Sequence, residues 1–144
     1  MKNTIALFLF ALTMMAQTSP KGETNPNVNQ NNIKTTICVA GWTATVRPPS
    51  SIMAKQKKEA ATKLGIKDIN SGEWDHVISI ELGGHPNSPN NLQFQLYLPK
   101  PGAREKDVVE TYLHRQVCSG SMTLLDAQKA ITGDWVSIYN KVKK

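Results

Sequence analysis

The sequence predicts an α+β fold in a single domain. Short runs of β-branched residues bounded by turn residues occupy the N-terminal and central parts of the chain, and segments with apolar residues at helical spacing occupy its C-terminal third. A chain of 144 residues, of which 40% are hydrophobic, can bury one modest core. We therefore expect one folded unit over residues 33–144.

Residues 1–19 have the pattern of a secretory signal peptide. Lys2 precedes an apolar run from Ile5 to Leu12, and the small residue Ala16 follows it. The run is too short to cross a membrane comfortably. We expect a secreted or periplasmic mature protein with no stable membrane insertion after cleavage.

Residues 20–32 are polar and rich in asparagine, with almost no apolar side chains. Such a segment cannot offset the entropy that it loses on ordering, so we expect a flexible leader. The two cysteines, Cys38 and Cys118, are an even pair in an exported chain, which predicts a disulfide. Two buried free thiols are the alternative, and the absence of a CxxC spacing argues against a cysteine zinc site.

The first elements of the folded unit are predicted to be a β-hairpin and a helix. β-branched runs at 35–39 and 42–46 flank a short turn, and two prolines stop the second run. Ser50 can cap a helix that runs to about Leu64, where Gly65 ends it.

Strand and helix patterns alternate in the rest of the chain. We expect a strand, a loop, a second strand and a helix over residues 74–82, 83–90, 91–96 and 103–117. The helix carries an apolar stripe that includes Val109, Leu113 and Val117. Two short helices follow, over residues 124–131 and 134–141. Thr123 and Asp134 precede them as capping residues.

Three segments of the central part, EWDHVISIELGG, PNNLQFQ and AREKDVVETYLHRQVCSG, resemble the HNH endonuclease superfamily. The resemblance covers about residues 73–120, with the core of the motif at about 73–118, and is to the branch in which the first motif reads Asp-His. It extends loosely to small exported bacterial proteins with a similar C-terminal pair of helices. It implies a ββα-metal core, here preceded by the hairpin and helix and followed by two short helices.

The resemblance assigns roles to three residues. It makes His76 the general base, Asp75 a metal ligand and Asn91 the asparagine that clamps the intervening loop. A neutral imidazole can take a proton from water, while a metal neutralises charge on the phosphate. A carboxylate suits Mg²⁺ or Mn²⁺, with Zn²⁺ or Ni²⁺ as alternatives. Neighbouring strand residues face opposite ways, so a bulge or strong twist at 74–77 is expected.

The third metal ligand departs from the family pattern, because Lys100 stands at the usual spacing after Asn91 and cannot bind a metal. Asp107, Glu110 and His114 share one face of the following helix. Glu110 borders the apolar face and is the expected ligand, and Asp107 and His114 are the alternatives. A solvated helix face without a metal is the other interpretation of this stripe.

The charge balance favours a polyanionic partner. Lys and Arg total 17 against 11 Asp and Glu, which gives a net charge of +6. Arg104 and Lys106 fall in the first turn of the predicted helix, where a bound phosphate would compensate their unfavourable position. Arg47 and Lys100 are further candidate phosphate contacts. Nucleic acid is the expected partner, with DNA favoured over RNA.

These observations predict an exported, metal-dependent endonuclease that hydrolyses phosphodiester bonds with weak sequence preference, since no base-reading helix is recognisable. Glu73 and Glu81 are nearby acids that would either assist metal binding or pair with lysines. A catalytically inactive nucleic-acid-binding module on the same scaffold is the alternative. A structural envelope protein whose charge is incidental is a third.

Overall fold

The computed structural model describes residues 21–143 and confirms an α+β fold. In this part of the chain, helices span Trp42–Val46 (α1), Ser50–Lys63 (α2), Ala103–Ser119 (α3), Leu124–Thr132 (α4) and Trp135–Val142 (α5), and two strands span Gly72–His76 (β1) and Leu92–Leu96 (β2). The strands form one antiparallel sheet. The expected signal peptide lies outside the described residues. The ββα-metal assignment itself stays a prediction.

The strand β1 is shorter than expected and contains no bulge. Its five residues pair one to one with β2, from Gly72 opposite Leu96 to His76 opposite Leu92. Beyond His76 the chain leaves the sheet because the side chain of Asn91 binds both the amide and the carbonyl of Ile78. The apolar run that predicted a longer strand then turns into the core as a short 3₁₀ helix, Ile80–Leu82.

The predicted N-terminal β-hairpin is wrong. Ile33–Thr35 is a 3₁₀ turn, and Trp42–Val46 forms the helix α1. The backbone bonds of this segment are local, as in the bond from the Cys38 amide to the Ile33 carbonyl. Of the two β-branched runs, Ile37 is buried in the core, Val39 is exposed and no residue of α1 is buried, so the pattern here reflects neither strand pairing nor extensive burial.

Residues 21–32 also differ from the expected flexible leader. Val28 is 7% exposed and packs in the core. Thr24 forms an isolated bridge with Gly84, and the Gly22 amide donates to the Asn90 carbonyl. The segment is ordered by hydrogen bonds to a distant loop, which its polar composition does not reveal.

The centre of the core is α3, whose residues Val109, Leu113 and Val117 are fully buried. The helices α4 and α5 pack on α3, and α2 packs on the sheet. The N-terminal caps of α4 and α5 are as predicted. Thr123 accepts a hydrogen bond from the Asp126 amide, and Asp134 accepts one from the Ser137 amide.

The structure confirms the disulfide between Cys38 and Cys118, which joins the N-terminal turn to the end of α3. A disulfide is consistent with folding in an oxidising environment. None of the helices between residues 21 and 143 is long and apolar enough to cross a membrane.

Candidate active site

A polar cavity of about 330 Å³ lies between β1, the turn after it and α3. It is called the acidic cavity here, because five carboxylates line it: Glu73, Asp75, Glu81, Asp107 and Glu110. Asp75 and His76 both line it even though they are neighbours in β1, which ends at His76. Arg47, at the end of α1, adds a guanidinium to the same wall.

The imidazole of His76 is held in one tautomer. Its Nε2 lies 2.9 Å from the Pro86 carbonyl oxygen, and because a carbonyl can only accept, Nε2 carries the proton. The other ring nitrogen, Nδ1, is then unprotonated in the neutral ring and makes no hydrogen bond within residues 21–143. Burial lowers the pKa of His76 below its usual value of 6.5, so the ring is neutral at pH 7.

Asn91 fixes the loop that orients His76. It is fully buried, and its amide nitrogen donates to the carbonyls of Ile78 and His85, each at 2.9 Å. Its amide oxygen accepts from the backbone amides of Ile78 and Glu23. The bond to His85 sets the position of the next residue, whose carbonyl binds the His76 ring.

Two glycines make this clamp sterically feasible. Gly83 has a φ of 73°, in the left-handed region that glycine tolerates. A Cβ on Gly84 would lie 1.8 Å from the Ile78 carbonyl oxygen and 2.9 Å from the Asn91 amide nitrogen. Gly83 is therefore required by the turn, and Gly84 by the close approach of its backbone to Ile78 and Asn91.

The segment 22–25, called the N-terminal strap here, runs along the outside of this loop. The carboxylate of Glu23 accepts hydrogen bonds from Ser88 and Asn90, and its carbonyl accepts from the His85 amide. No sequence signal pointed to this role, because the partners are more than 60 residues away.

The expected metal ligands Asp75 and Glu110 converge, but on the ammonium of Lys106. The Lys106 Nζ donates to Asp75 Oδ2 at 2.8 Å, to the His76 carbonyl at 2.7 Å and to Glu110 Oε1. Lys106 is only 2% exposed. A divalent ion does not fit between Asp75 and Glu110, because the ammonium of Lys106 already lies between them.

Burial and charge shift the pKa values of this cluster. Burial raises the pKa of Glu110, an effect that the neighbouring Lys106 partly offsets. Burial alone would lower the pKa of Lys106, but the carboxylates of Glu110 and Asp75 outweigh it, and the pKa is raised. Lys106 therefore stays charged at neutral pH.

The acids that Lys106 does not bind differ from this pair. Burial raises the pKa values of Glu73 and Asp107, and repulsion from Asp75 adds to both shifts. Glu73 Oε1 is a buried oxygen with no hydrogen-bond partner in the described residues, and the same is true of the Ser79 hydroxyl in the cavity wall. A buried carboxylate oxygen without a partner, beside a second acid that repels it, is a donor that suits a hard cation, but among the described residues no three acids of the cavity have ligand atoms within 4.8 Å of one another.

His114 does not line the acidic cavity. Its Nε2 lies 2.9 Å from the Ile37 carbonyl, on the side of α3 that carries the disulfide. Among the described residues, the sole group of three ligand atoms within 4.8 Å of one another is Cys38, His114 and Cys118. Both sulfurs are in the disulfide, so this group offers no thiolate to a metal.

Of the two predicted phosphate contacts in the first turn of α3, one is in the expected place. Arg104 is exposed, and its guanidinium lies 4.5 Å from the centre of the Tyr97 ring. Lys106 is instead buried, and its three N–H donors go to Asp75, the His76 carbonyl and Glu110, so no donor is left for a phosphate. This geometry argues against its assignment to nucleic-acid binding, which stays a prediction. The spacing of Lys106 and Glu110, four residues apart on one helix, was the available signal for this ion pair.

No family model, no curated protein and no solved structure matches this chain. The function is therefore argued from the geometry of the acidic cavity and from the resemblance in the motifs.

Proposed function

We propose that this protein is an exported endonuclease that hydrolyses phosphodiester bonds in nucleic acid, with His76 as the general base. The observation that carries the proposal is the orientation of the His76 ring. The Pro86 carbonyl fixes the proton on Nε2, so Nδ1 is left as a base in a ring that burial keeps neutral. Asn91 is the positioning residue that holds the loop in place.

In the proposed step, Nδ1 of His76 takes a proton from a water molecule. The water oxygen forms a bond to phosphorus, the bond from phosphorus to the leaving sugar oxygen breaks, and that oxygen takes a proton from solvent. Arg47 lines the same cavity and would bind a non-bridging phosphate oxygen. Arg104, exposed at the start of α3, would contact the backbone further along the strand.

The acidic cavity needs a cation before it can accept a phosphate, because five carboxylates line it and Arg47 is the one arginine or lysine among its lining residues in the described part of the chain. The resemblance implies a divalent ion, Mg²⁺ or Mn²⁺, with Zn²⁺ or Ni²⁺ as alternatives. Lys106 leaves three of the five carboxylates free, and of these Glu81 lies 3.9 Å from His114. Glu73 and Asp107, which have neither partner, would hold the ion. When bound, it would neutralise charge on the phosphate and on the leaving oxygen.

The test is plasmid cleavage by the purified mature protein and its His76→Ala variant in the presence of Mg²⁺ or Mn²⁺. The wild type is expected to nick supercoiled DNA, and the variant to lose about 100-fold or more in rate. Free imidazole should restore part of the lost rate, since it replaces the missing base. Equal cleavage by the two proteins, with matched thermal unfolding, would refute the proposal.

A second candidate, an inactive nucleic-acid-binding module, is favoured by one observation. Lys106 lies between Asp75 and Glu110, where the resemblance places the metal. This candidate predicts salt-sensitive retention of DNA without nicking under any divalent ion. Retention and nicking measured on the same samples separate the two candidates.

A further inference from the structure

We propose that Lys106 is a built-in cation that occupies the space between Asp75 and Glu110 and excludes a divalent ion from that pair. The inference deepens the proposed function, because it concerns which carboxylates of the same site are free to bind the ion. Its readout is ion binding, which does not depend on DNA cleavage.

The hydrogen-bonding capacity of the ammonium is fully used. An ammonium has three N–H donors, and Lys106 directs them to Asp75, to the His76 carbonyl and to Glu110. No donor remains for a phosphate, which separates this role from that of a substrate contact. All three acceptors belong to β1 or α3, so the ammonium joins the strand that carries His76 to the helix beside it.

The ion pair between Lys106 and Glu110 is buried. Lys106 is 2% exposed and Glu110 is 6% exposed. A charge removed from water in this way is tolerated only when it is paired. Removal of Lys106 therefore leaves Asp75 and Glu110 without a compensating cation, whereas removal of Glu110 leaves Lys106 paired with Asp75. A divalent ion could enter between Asp75 and Glu110 only by expelling the ammonium from its partners.

The position of Lys106 follows from the helix. Lys106 lies in the first turn of α3, and Glu110 lies one turn later on the same face. The direction of α3 brings this face against the end of β1, where Asp75 lies. Neighbouring Asp107 has no ion pair in the described part of the chain, so helix geometry separates Glu110, which Lys106 binds, from Asp107, which it leaves free.

The experiment is a titration of the purified mature protein with Mn²⁺, followed by calorimetry and by thermal unfolding. Four proteins are compared: wild type, Glu110→Gln, Lys106→Met and the double variant of both. We expect Glu110→Gln to bind Mn²⁺ as the wild type does. Lys106→Met should gain a site at least about tenfold tighter than any in the wild type, and the double variant should lose it again.

Two results would overturn the inference. One is a loss of about tenfold or more in Mn²⁺ affinity on Glu110→Gln in the otherwise wild-type chain. The other is a folded Lys106→Met protein that gains no Mn²⁺ binding. If Lys106→Met does not fold, the Glu110→Gln comparison decides alone.

The outcome also separates this inference from the proposed function. A wild type that binds no Mn²⁺, beside a Lys106→Met variant that does, supports the built-in cation and refutes the metal part of the proposed function. A wild type whose Mn²⁺ binding is weakened by Asp107→Asn but not by Glu110→Gln supports both.

Discussion

The side chain of Asn91 makes four hydrogen bonds that join three segments of the site. Its side chain is fully buried and joins the N-terminal strap, the turn after β1 and the loop that orients His76. Both donors and both acceptor directions of the amide are used. An asparagine is needed here because neither an aspartate nor a leucine offers that combination of donors and acceptors.

We predict that Asn91→Ala lowers the free energy of unfolding by about 3 kcal/mol or more, because it leaves several buried backbone groups without partners. Urea denaturation measures this directly. The control is Asn70→Ala, at an exposed asparagine, which should change stability by less than about 0.5 kcal/mol. Similar small losses in both variants would contradict the clamp.

The sequence predicted those residues of the site that belong to a recognisable motif. The Asp-His dipeptide placed Asp75 and His76 beside one cavity, and the later Asn-Leu placed Asn91. The partner of Asp75 was not predictable as an ammonium, because the depth to which Lys106 inserts depends on the packing of α3 against β1. First-turn charge suggested a surface role, and tertiary packing decided otherwise.

At the scale of elements, the N-terminal strap completes the loop that orients His76. It lies beside the loop through the Thr24–Gly84 bridge and through Glu23, whose carboxylate accepts from Ser88 and Asn90. These two hydrogen bonds lower the pKa of Glu23. The N-terminal strap is thus an element of the site, although it lies far from the other site residues in the sequence.

The lowered pKa of Glu23 fixes the sign of a pH effect. A carboxyl group with a folded pKa below its unfolded value stabilises the fold above that unfolded value of about 4.5, and the contribution is lost as pH falls through the folded pKa. Glu23→Gln should therefore lower the melting temperature at pH 7, and the difference from wild type should vanish in acid.

Thermal unfolding of both proteins from neutral to acidic pH measures this. Glu59→Gln, at an exposed residue of α2 paired only with Lys55, is the matched control and should show little difference at any pH. A Glu23→Gln difference that is the same at neutral and acidic pH would show that the carboxylate charge does not matter.

The elements themselves were predicted unevenly, for a physical reason. The four longer helices were located because apolar spacing, caps and terminators act within a few residues. The N-terminal hairpin was wrong because β propensity is weak and depends on context, and here the segment satisfies its backbone with local bonds while Ile37 is buried without a strand partner. The ordered Asn-rich segment depends on contacts with residues 83–91, which local composition cannot encode.

At the scale of the whole molecule, the disulfide closes most of the described chain into one loop. Cys38 and Cys118 are separated by 80 residues, and both helices that follow α3 pack back on it. In the chain-entropy model, a loop of this length contributes about 4 kcal/mol by restricting the unfolded state.

We therefore predict that the double substitution Cys38→Ser and Cys118→Ser lowers the free energy of unfolding by about 4 kcal/mol, as measured by urea denaturation. The reduced wild type should behave like the double variant. A loss below about 1 kcal/mol in both would show that packing on α3 holds the N-terminal turn without the covalent link.

In the proposed mechanism His76 acts as a base in its neutral form, so the rate of DNA cleavage should depend on pH. Because burial lowers the pKa of His76, the rate of plasmid cleavage under subsaturating DNA should fall in acid with a midpoint below 6.5. The His76→Ala protein should show neither the rate nor this acid limb. Cleavage by His76→Ala at the wild-type rate, with the same pH dependence, would contradict the account.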